Sequence, residues 1–303
     1  MTIFYEQQIN KGGFDLKNGI CLAGGGVKGA AHIGAIKALE EANLSFEYIG
    51  GTSSGSIVAS LYACGFTADE MYKIFKKYCR KIKYVDFINI IKLILGLIFT
   101  GKIIIGGLNS GKQIEKLINK QCEKKQIDNI NEIKKKLVIP SVDLCTGDVI
   151  CFSSQLYENR AKISDKTIFI NDVNIGKAVR ASCSYPVVFA PCKYKGRYLV
   201  DGGIRENVPW KELNLLGAKK VINFMFEDEP NEECKHDLVN SATKSIGLLC
   251  RELSNYEMMD SDFTIKFRSK KVGLLDMNKI DELYSLGYYE TKRNIKEIKE
   301  FLK

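Results

Sequence analysis

The chain has 303 residues, 45% of them hydrophobic, with 45 basic against 36 acidic side chains and a formal charge of +9. The lysine-rich run from Lys120 to Lys136 has no aromatic residue interleaved with it, which argues against a single-stranded nucleic-acid platform there. Its ten cysteines form no Cys-x-x-Cys pair and have no histidine at zinc-ligand spacing, which argues against a structural metal site. The expectations are reduced thiols and one large domain over residues 1–303. The basic excess suits contact with an anionic surface. The segment Met1 to Lys17 lacks the apolar run and small-residue cleavage site of a secretory signal, so a cytoplasmic address is expected, with room for peripheral membrane contact.

In chain order, Asn18 to Ala23 is predicted as a short buried strand, followed by the glycine loop Gly24 to Gly29 and a helix over Ala30 to Ala42. Phe46 to Gly50 is a second strand, ending in Gly51-Thr52-Ser53-Ser54-Gly55 and a small-residue helix to Ala63. Thr67 and Glu70 form a capping box for a helix over Ala68 to Arg80. The most apolar stretch, Phe87 to Leu108, is interrupted by Lys92 and Lys102 and is too short to span a bilayer. It reads as an ordinary buried helix-loop segment or as an interfacial one. A helix from Asn109 toward Lys120 leads into a lysine-rich connection ending at Lys136. Leu137 to Leu144 and Asp148 to Ser154 read as strands, Asn174 to Ser184 as a helix capped by Asn174, and Arg197 to Val200 as a strand delivering Asp201. Ala218 to Phe226 is a later core strand, and Met277 to Lys303 contains one long amphipathic helix buried through Ile280, Leu283, Leu286, Ile295, Ile298 and Leu302. This alternation predicts an α/β fold with a mostly parallel sheet covered on both faces and a site beyond the carboxyl ends of its strands.

Residues 51–55 fit Gly-x-Ser-x-Gly, with Ser53 at the nucleophile position. In a nucleophile elbow two glycines let the chain turn sharply from strand to helix and lift the serine hydroxyl toward substrate. The same residues also fit an ordinary strand-to-helix turn with Ser53 or Ser54 as an N-cap. The glycine loop leaves backbone N–H groups unobstructed at a helix start, where an oxyanion can be held. Lys28 in that loop either adds positive potential or is simply solvated. Gly24, Gly26 and Gly29 also match Gly-x-Gly-x-x-Gly of a dinucleotide site, but Glu47 stands at the start of the second strand, whereas a ribose-binding acid belongs near its end.

Only two histidines are available as bases, His32 and His236. His32 is expected to pack within its helix and His236 to lie on the surface, yet the order Ser53, Asp201, His236 keeps an α/β-hydrolase triad open. Asp201-Gly202 equally fits a hairpin turn between Arg197 to Val200 and Ile204 to Val208. Asp143 and Asp148 flank a turn without forming a calcium loop.

The glycine loop Gly24 to Gly29, the Gly51 to Gly55 pentapeptide and Asp201-Gly202-Gly203, in that order, resemble the three signatures of patatin-like phospholipases. Ala181-Ser182 with Pro186, Phe189 and Pro191 resembles a fourth segment of that family. The resemblance runs from about residue 18 to 209 and implies a patatin-like three-layer α/β/α fold. It further implies a Ser-Asp dyad, with Ser53 as nucleophile and Asp201 as general base. An oxyanion hole would come from Gly24, Gly25, Gly26, Val27, Lys28 and Gly29, chiefly the Gly25, Gly26 and Val27 backbone. The substrate class it implies is an acyl lipid, with neither cofactor nor metal. A dinucleotide-binding oxidoreductase and a non-catalytic lipid-binding module are the competing readings.

Overall fold

The computed structural model describes residues 17–79, 86–157, 166–228, 237–269, 272–273 and 276–303. His236, Cys234 and Arg80 lie outside the described residues, as does the chain before Lys17. The first strand, β1 (Asn18–Leu22), is buried along its whole length, as expected of a central strand. After it come α1 (Gly29–Glu41), β2 (Tyr48–Gly51) and α2 (Ser54–Ala63), the last beginning immediately after the serine turn. The capping box is present at α3 (Ala68–Cys79): Thr67 N–H donates to Glu70 Oε2 at 2.8 Å, and Glu70 N–H donates back to Thr67 Oγ1 at 3.3 Å.

The apolar segment forms α4 (Phe87–Thr100), and the reading of it as buried is wrong: Phe87 is 74% exposed, Ile98 69% and Phe99 78%. Next come α5 (Lys112–Glu123), β3 (Lys136–Asp143) and β4 (Val149–Ser153), with β3 and β4 paired as a hairpin. Arg197 Nη1 lies 2.6 Å from Asp143 Oδ2 beside that turn, so this acid is part of the scaffold. Two short strands escaped prediction, β5 (Thr167–Ile170) and β6 (Cys192–Tyr194). Between them lies α6 (Ile175–Ser182); Asn174 stands at its N-cap, but its side chain donates to Asp128 instead of capping the helix. Strand β7 (Arg197–Asp201) pairs with β6, so Lys195-Gly196 is the hairpin turn and Asp201-Gly202 is not. Residues 202–204 make a short 3-10 turn instead of opening a strand.

The remaining elements are α7 (Trp210–Leu215), β8 (Lys220–Asp228), α8 (Leu238–Glu257), β9 (Phe263–Ser269), α9 (Ile280–Arg293) and α10 (Ile295–Leu302). The predicted long final helix is thus two helices, broken at Asn294 (φ −91°, ψ 3°). Its expected buried face is only partly right: Ile280, Leu283, Ile298 and Leu302 are buried, while Leu286 and Ile295 are half-buried.

All nine strands join one sheet in the order β5-β4-β3-β2-β1-β8-β9, with β7 also paired to β3. The pairs β1–β2, β1–β8, β2–β3, β4–β5 and β8–β9 are parallel; β3–β4, β3–β7 and β6–β7 are antiparallel. Alternate residues feed two cores. Ile20, Leu22, Leu137, Ile139, Ile222 and Phe224 face the larger one, beneath α1, α2, α5, α6 and α9. Cys21, Val138, Cys151 and Val221 face the smaller one, with Val208, Trp210 and Leu213 over them. The three layers are therefore unequal, the second face being covered mainly by the short α7.

Candidate active site

The turn after β2 is built by close approach. A Cβ on Gly55 would lie 2.1 Å from the Leu22 carbonyl oxygen, and one on Gly51 would lie 2.4 Å from that of Gly55. Ser53 sits between them at φ 51°, ψ −122°, a conformation that L-residues adopt at a cost of about 1–3 kcal/mol and that concentrates at functional sites. Its N–H donates to Ser182 Oγ at 3.0 Å, and its carbonyl accepts from Ser56 Oγ at 2.6 Å. Ser53 occupies the N-cap position of α2, yet its hydroxyl caps nothing. The capping alternative fails, and the hydroxyl is left for other work.

Asp201 reaches this turn from the opposite direction. Strand β2 pairs with residues 136–138 of β3 and ends at Gly51; β7 pairs antiparallel with residues 141–143 of β3. Because β4 covers 138–142 on the other side of β3, β2 and β7 lie end to end along one side, carboxyl end facing carboxyl end. Gly202 makes the junction tight, for a Cβ there would lie 2.4 Å from the Pro140 carbonyl oxygen.

The Asp201 side chain is 2% exposed; its Oδ1 accepts the Gly203 N–H at 2.9 Å, and Oδ2 has no hydrogen-bond partner of ordinary geometry. Burial pushes its pKa up to about 7, with the Ser53 side chain and then the Gly203 N–H holding it down. Ser53 is thus close enough to act on this carboxyl electrostatically.

The glycine loop flanks the same point. Gly24 N–H donates to Asn207 Oδ1 at 2.9 Å, Lys28 N–H donates to the Gly25 carbonyl at 3.2 Å, and Gly29 N–H turns back on the Gly26 and Val27 carbonyls. Three of the candidate donors are therefore engaged within the protein. The N–H groups of Gly25, Gly26 and Val27 make no hydrogen bond among the described residues. Gly26 has φ 61°, where a side chain would be strained, and a Cβ on Gly25 would lie 2.8 Å from the Phe226 ring. Lys28 is not solvated: it is 3% exposed, with Nζ 5.7 Å from the Phe226 ring centre.

His32 is fully buried, and its Nε2 contacts the Ala23 carbonyl oxygen at 2.8 Å, just before the glycine loop. Burial lowers its pKa to about 4, so the ring is neutral and Nε2–H is the donor. It packs beside Phe226, as expected of a helix-packing residue.

One residue near the site went unpredicted. Asn207 joins the glycine loop to α8, since its Nδ2 donates to Ser254 Oγ at 3.0 Å and its N–H to Glu257 Oε2 at 3.3 Å. No local pattern marks it, because every partner is distant in sequence. Behind it Glu206, Glu212 and Glu257 form a cluster in which burial raises each pKa, that of Glu257 to about 8. The dinucleotide reading finds no acid at the end of β2, where Gly51, Thr52 and Ser53 stand.

A serine in a strained elbow, a buried aspartate facing it and an open glycine loop converge at one end of the sheet. The family model described as patatin-like phospholipase matches residues 20–214, a span that holds all three. The chain belongs to the patatin-like phospholipase family.

Among patatin-like relatives, lysophospholipase NTE1 of Debaryomyces hansenii is 26% identical over 205 residues, covering 67% of this chain but only 11% of that protein. The uncharacterised protein YqhO of Bacillus subtilis is 29% identical over 228 residues, covering 72% of this chain and 74% of its own. The crystal structure of VipD from Legionella pneumophila superposes with a TM-score of 0.51 at 16% identity, over 96% of this chain and 69% of that one, a likeness of fold. Among the described residues no helix is long and apolar enough to cross a membrane.

Proposed function

We propose that this patatin-like chain is a serine lipid acyl hydrolase that cleaves carboxylic esters of phospholipids, lysophospholipids or related acyl lipids through a Ser53-Asp201 dyad. The observation that carries this reading is the buried Asp201 carboxyl, with Oδ2 unpartnered and a pKa near 7, facing an uncapped serine at φ 51°. An aspartate at its ordinary pKa of about 3.9 is a feeble base; one raised to about 7 holds a proton firmly enough to take it from an attacking hydroxyl.

Ser53 Oγ attacks the ester carbonyl carbon as its proton passes to Asp201 Oδ2. The Gly25 and Gly26 N–H groups stabilise the resulting oxyanion, a kind of contact worth about 2.7–4 kcal/mol per donor. Collapse expels the alcohol, which takes the proton from Asp201, and leaves an acyl-enzyme on Ser53. Water then attacks the acyl carbon, giving its proton to Asp201; collapse breaks the bond to Ser53 Oγ, which takes that proton back from Asp201 as the fatty acid leaves. His32 plays no part in proton transfer.

The test is covalent labelling by a fluorophosphonate together with turnover of phospholipid, lysophospholipid and short-chain ester. Wild type should label and turn over; Ser53→Ala should do neither. The pH profile of kcat/KM should rise with a midpoint near pH 7, as Asp201 loses its proton. Phospholipid binding without labelling or turnover would favour the non-catalytic alternative. Collapse of activity in His236→Ala as deep as in Asp201→Ala would favour a triad.

A further inference from the structure

The excursion from residue 86 to residue 109 is clipped shut at its base. Asp86 N–H donates to the Leu108 carbonyl at 3.0 Å, and the Asp86 carboxylate accepts from Asn109 Nδ2 at 3.2 Å and from the Ser110 N–H at 2.9 Å. Asn89 Nδ2 ties the first turn of α4 to the Gly107 carbonyl at 3.1 Å. Between these ties the chain runs out along α4 and returns over it. The return passes so closely that a Cβ on Gly96 would lie 2.7 Å from both the Lys102 carbonyl oxygen and Ile104 Cγ1.

The helix is inside out. Its inward side carries the buried Gly96 with the half-buried Asn89 and Leu93, while Phe87, Ile88, Ile94, Leu97, Ile98 and Phe99 face outward. At 3.6 residues per turn, those outward residues span an arc of roughly 200°, about twice the apolar stripe with which a helix docks on one protein surface. Hydrocarbon can surround such an arc; a protein groove covers only part of it. No acidic residue occurs from Phe87 to Asn109, and the only charges there are those of Lys92 and Lys102. The excursion therefore complements an anionic lipid surface, where lysine heads can reach phosphate while their stems stay among apolar groups.

Its base adjoins the candidate site. Leu108 and Asn109 N–H groups donate to the Val187 and Val188 carbonyls, and Ala190 N–H donates to that of Asn109, so the base is stitched to the segment following Ser182. Tyr185 in that segment is near enough to Asp201 for the carboxylate to raise its pKa, after the larger effect of burial.

We propose that residues 87–105 form a hydrophobic finger that inserts into the facing leaflet of an anionic phospholipid bilayer and holds the Ser53 site at its surface. The helix of the finger is about 21 Å long at 1.5 Å per residue, shorter than the roughly 30 Å hydrocarbon core, so it enters the bilayer without crossing it. The inference rests on the lipid-hydrolase reading for its purpose, but its test does not require activity.

The test is flotation with vesicles of phosphatidylcholine, with and without phosphatidylglycerol, using Ser53→Ala so that the lipid stays intact. The parent should float with the anionic vesicles. The double substitution Ile98→Asp/Phe99→Asp should weaken binding at least tenfold, and Lys92→Glu/Lys102→Glu should weaken it severalfold in the anionic vesicles alone. In the Ser53 background, the Ile98→Asp/Phe99→Asp chain should turn over a water-soluble short-chain ester within twofold of wild type and vesicle phospholipid at least tenfold more slowly. Unchanged flotation of the double variant, or no flotation of the parent, overturns the finger. A lipid-free dimer that the double variant converts to monomer also overturns it, in favour of a second copy as the occupant. Flotation lost as expected, with no ester turned over by any form, leaves the finger standing and removes the hydrolase reading. An unchanged circular-dichroism melt keeps loss of binding distinct from loss of folding.

Discussion

Asp201 carries the sharpest consequence at the scale of single residues. Its folded pKa of about 7 lies above the ordinary aspartate value near 3.9, so between those two pH values the folded chain holds a proton that the unfolded chain has released. This group therefore lowers stability as pH rises from about 4 to about 7, and the full penalty is present above that. Asp201→Asn keeps an acceptor for the Gly203 N–H and removes the buried charge. It should gain on the order of 4 kcal/mol over wild type at pH 8 and little at pH 4, by urea denaturation at each pH. Ester hydrolysis by the same variant should fall by about a thousandfold or more. A variant less stable than wild type at pH 8 would contradict the raised pKa. The turn around Ser53 and the glycine loop are legible in sequence from their spacing, whereas Asp201, which fits a hairpin turn equally well, is singled out only by the resemblance to patatin-like phospholipases. Asn207 is legible in neither way, since its role exists only where Gly24, Ser254 and Glu257 meet.

Between elements, the tightest contact is the crossing of α1 and α9. A Cβ on Gly287 would lie 1.8 Å from the Ala31 carbonyl oxygen, and one on Gly34 would lie 2.0 Å from that of Tyr284. Both obstacles are backbone, which cannot rotate aside. Gly287→Ala should therefore destabilise by at least about 2 kcal/mol in urea, although alanine is the better helix former. Gly247→Ala in α8 is the control: its nearest neighbour is the Tyr185 hydroxyl at 3.6 Å, and it should be neutral or stabilising by up to about 1 kcal/mol. Equal losses in both would mean that helix propensity, not the crossing, is being read. Periodicity located α3 and the final helical stretch, which it read as one helix where there are two, because their apolar residues mostly face the core. It missed α8, where Leu238 and Leu249 are 77% and 73% exposed, so no buried stripe was there to find.

At the scale of the molecule, we propose that the described residues fold as one cooperative unit. Strand β1 is paired on one side by β2 and on the other by β8, so the sheet closes only when late residues insert beside early ones. The α1–α9 crossing joins the same two ends. Trp210 is the only tryptophan in the chain; it is 8% exposed, and its Nε1 donates to the Glu257 carbonyl at 3.1 Å, between α7 and α8. Its fluorescence and far-ultraviolet circular dichroism should report the same urea midpoint. Two separated transitions would instead mean two units.

The alternation of buried strands with amphipathic helices, the glycine loop and the turn around Ser53 were legible in the sequence alone, because local backbone demands restrict which residues can stand there; Asp201 stood out there only through the family resemblance. Only the tertiary structure decided that β7 runs against β3 and stops head-on to β2, which brings Asp201 to Ser53. Strand direction depends on which edge a distant segment finds free, and no local pattern records that. It likewise decided that α4 turns its apolar side outward. An apolar stretch is equally apolar in a core or on a surface, and its place is set by whether the rest of the chain has room to cover it.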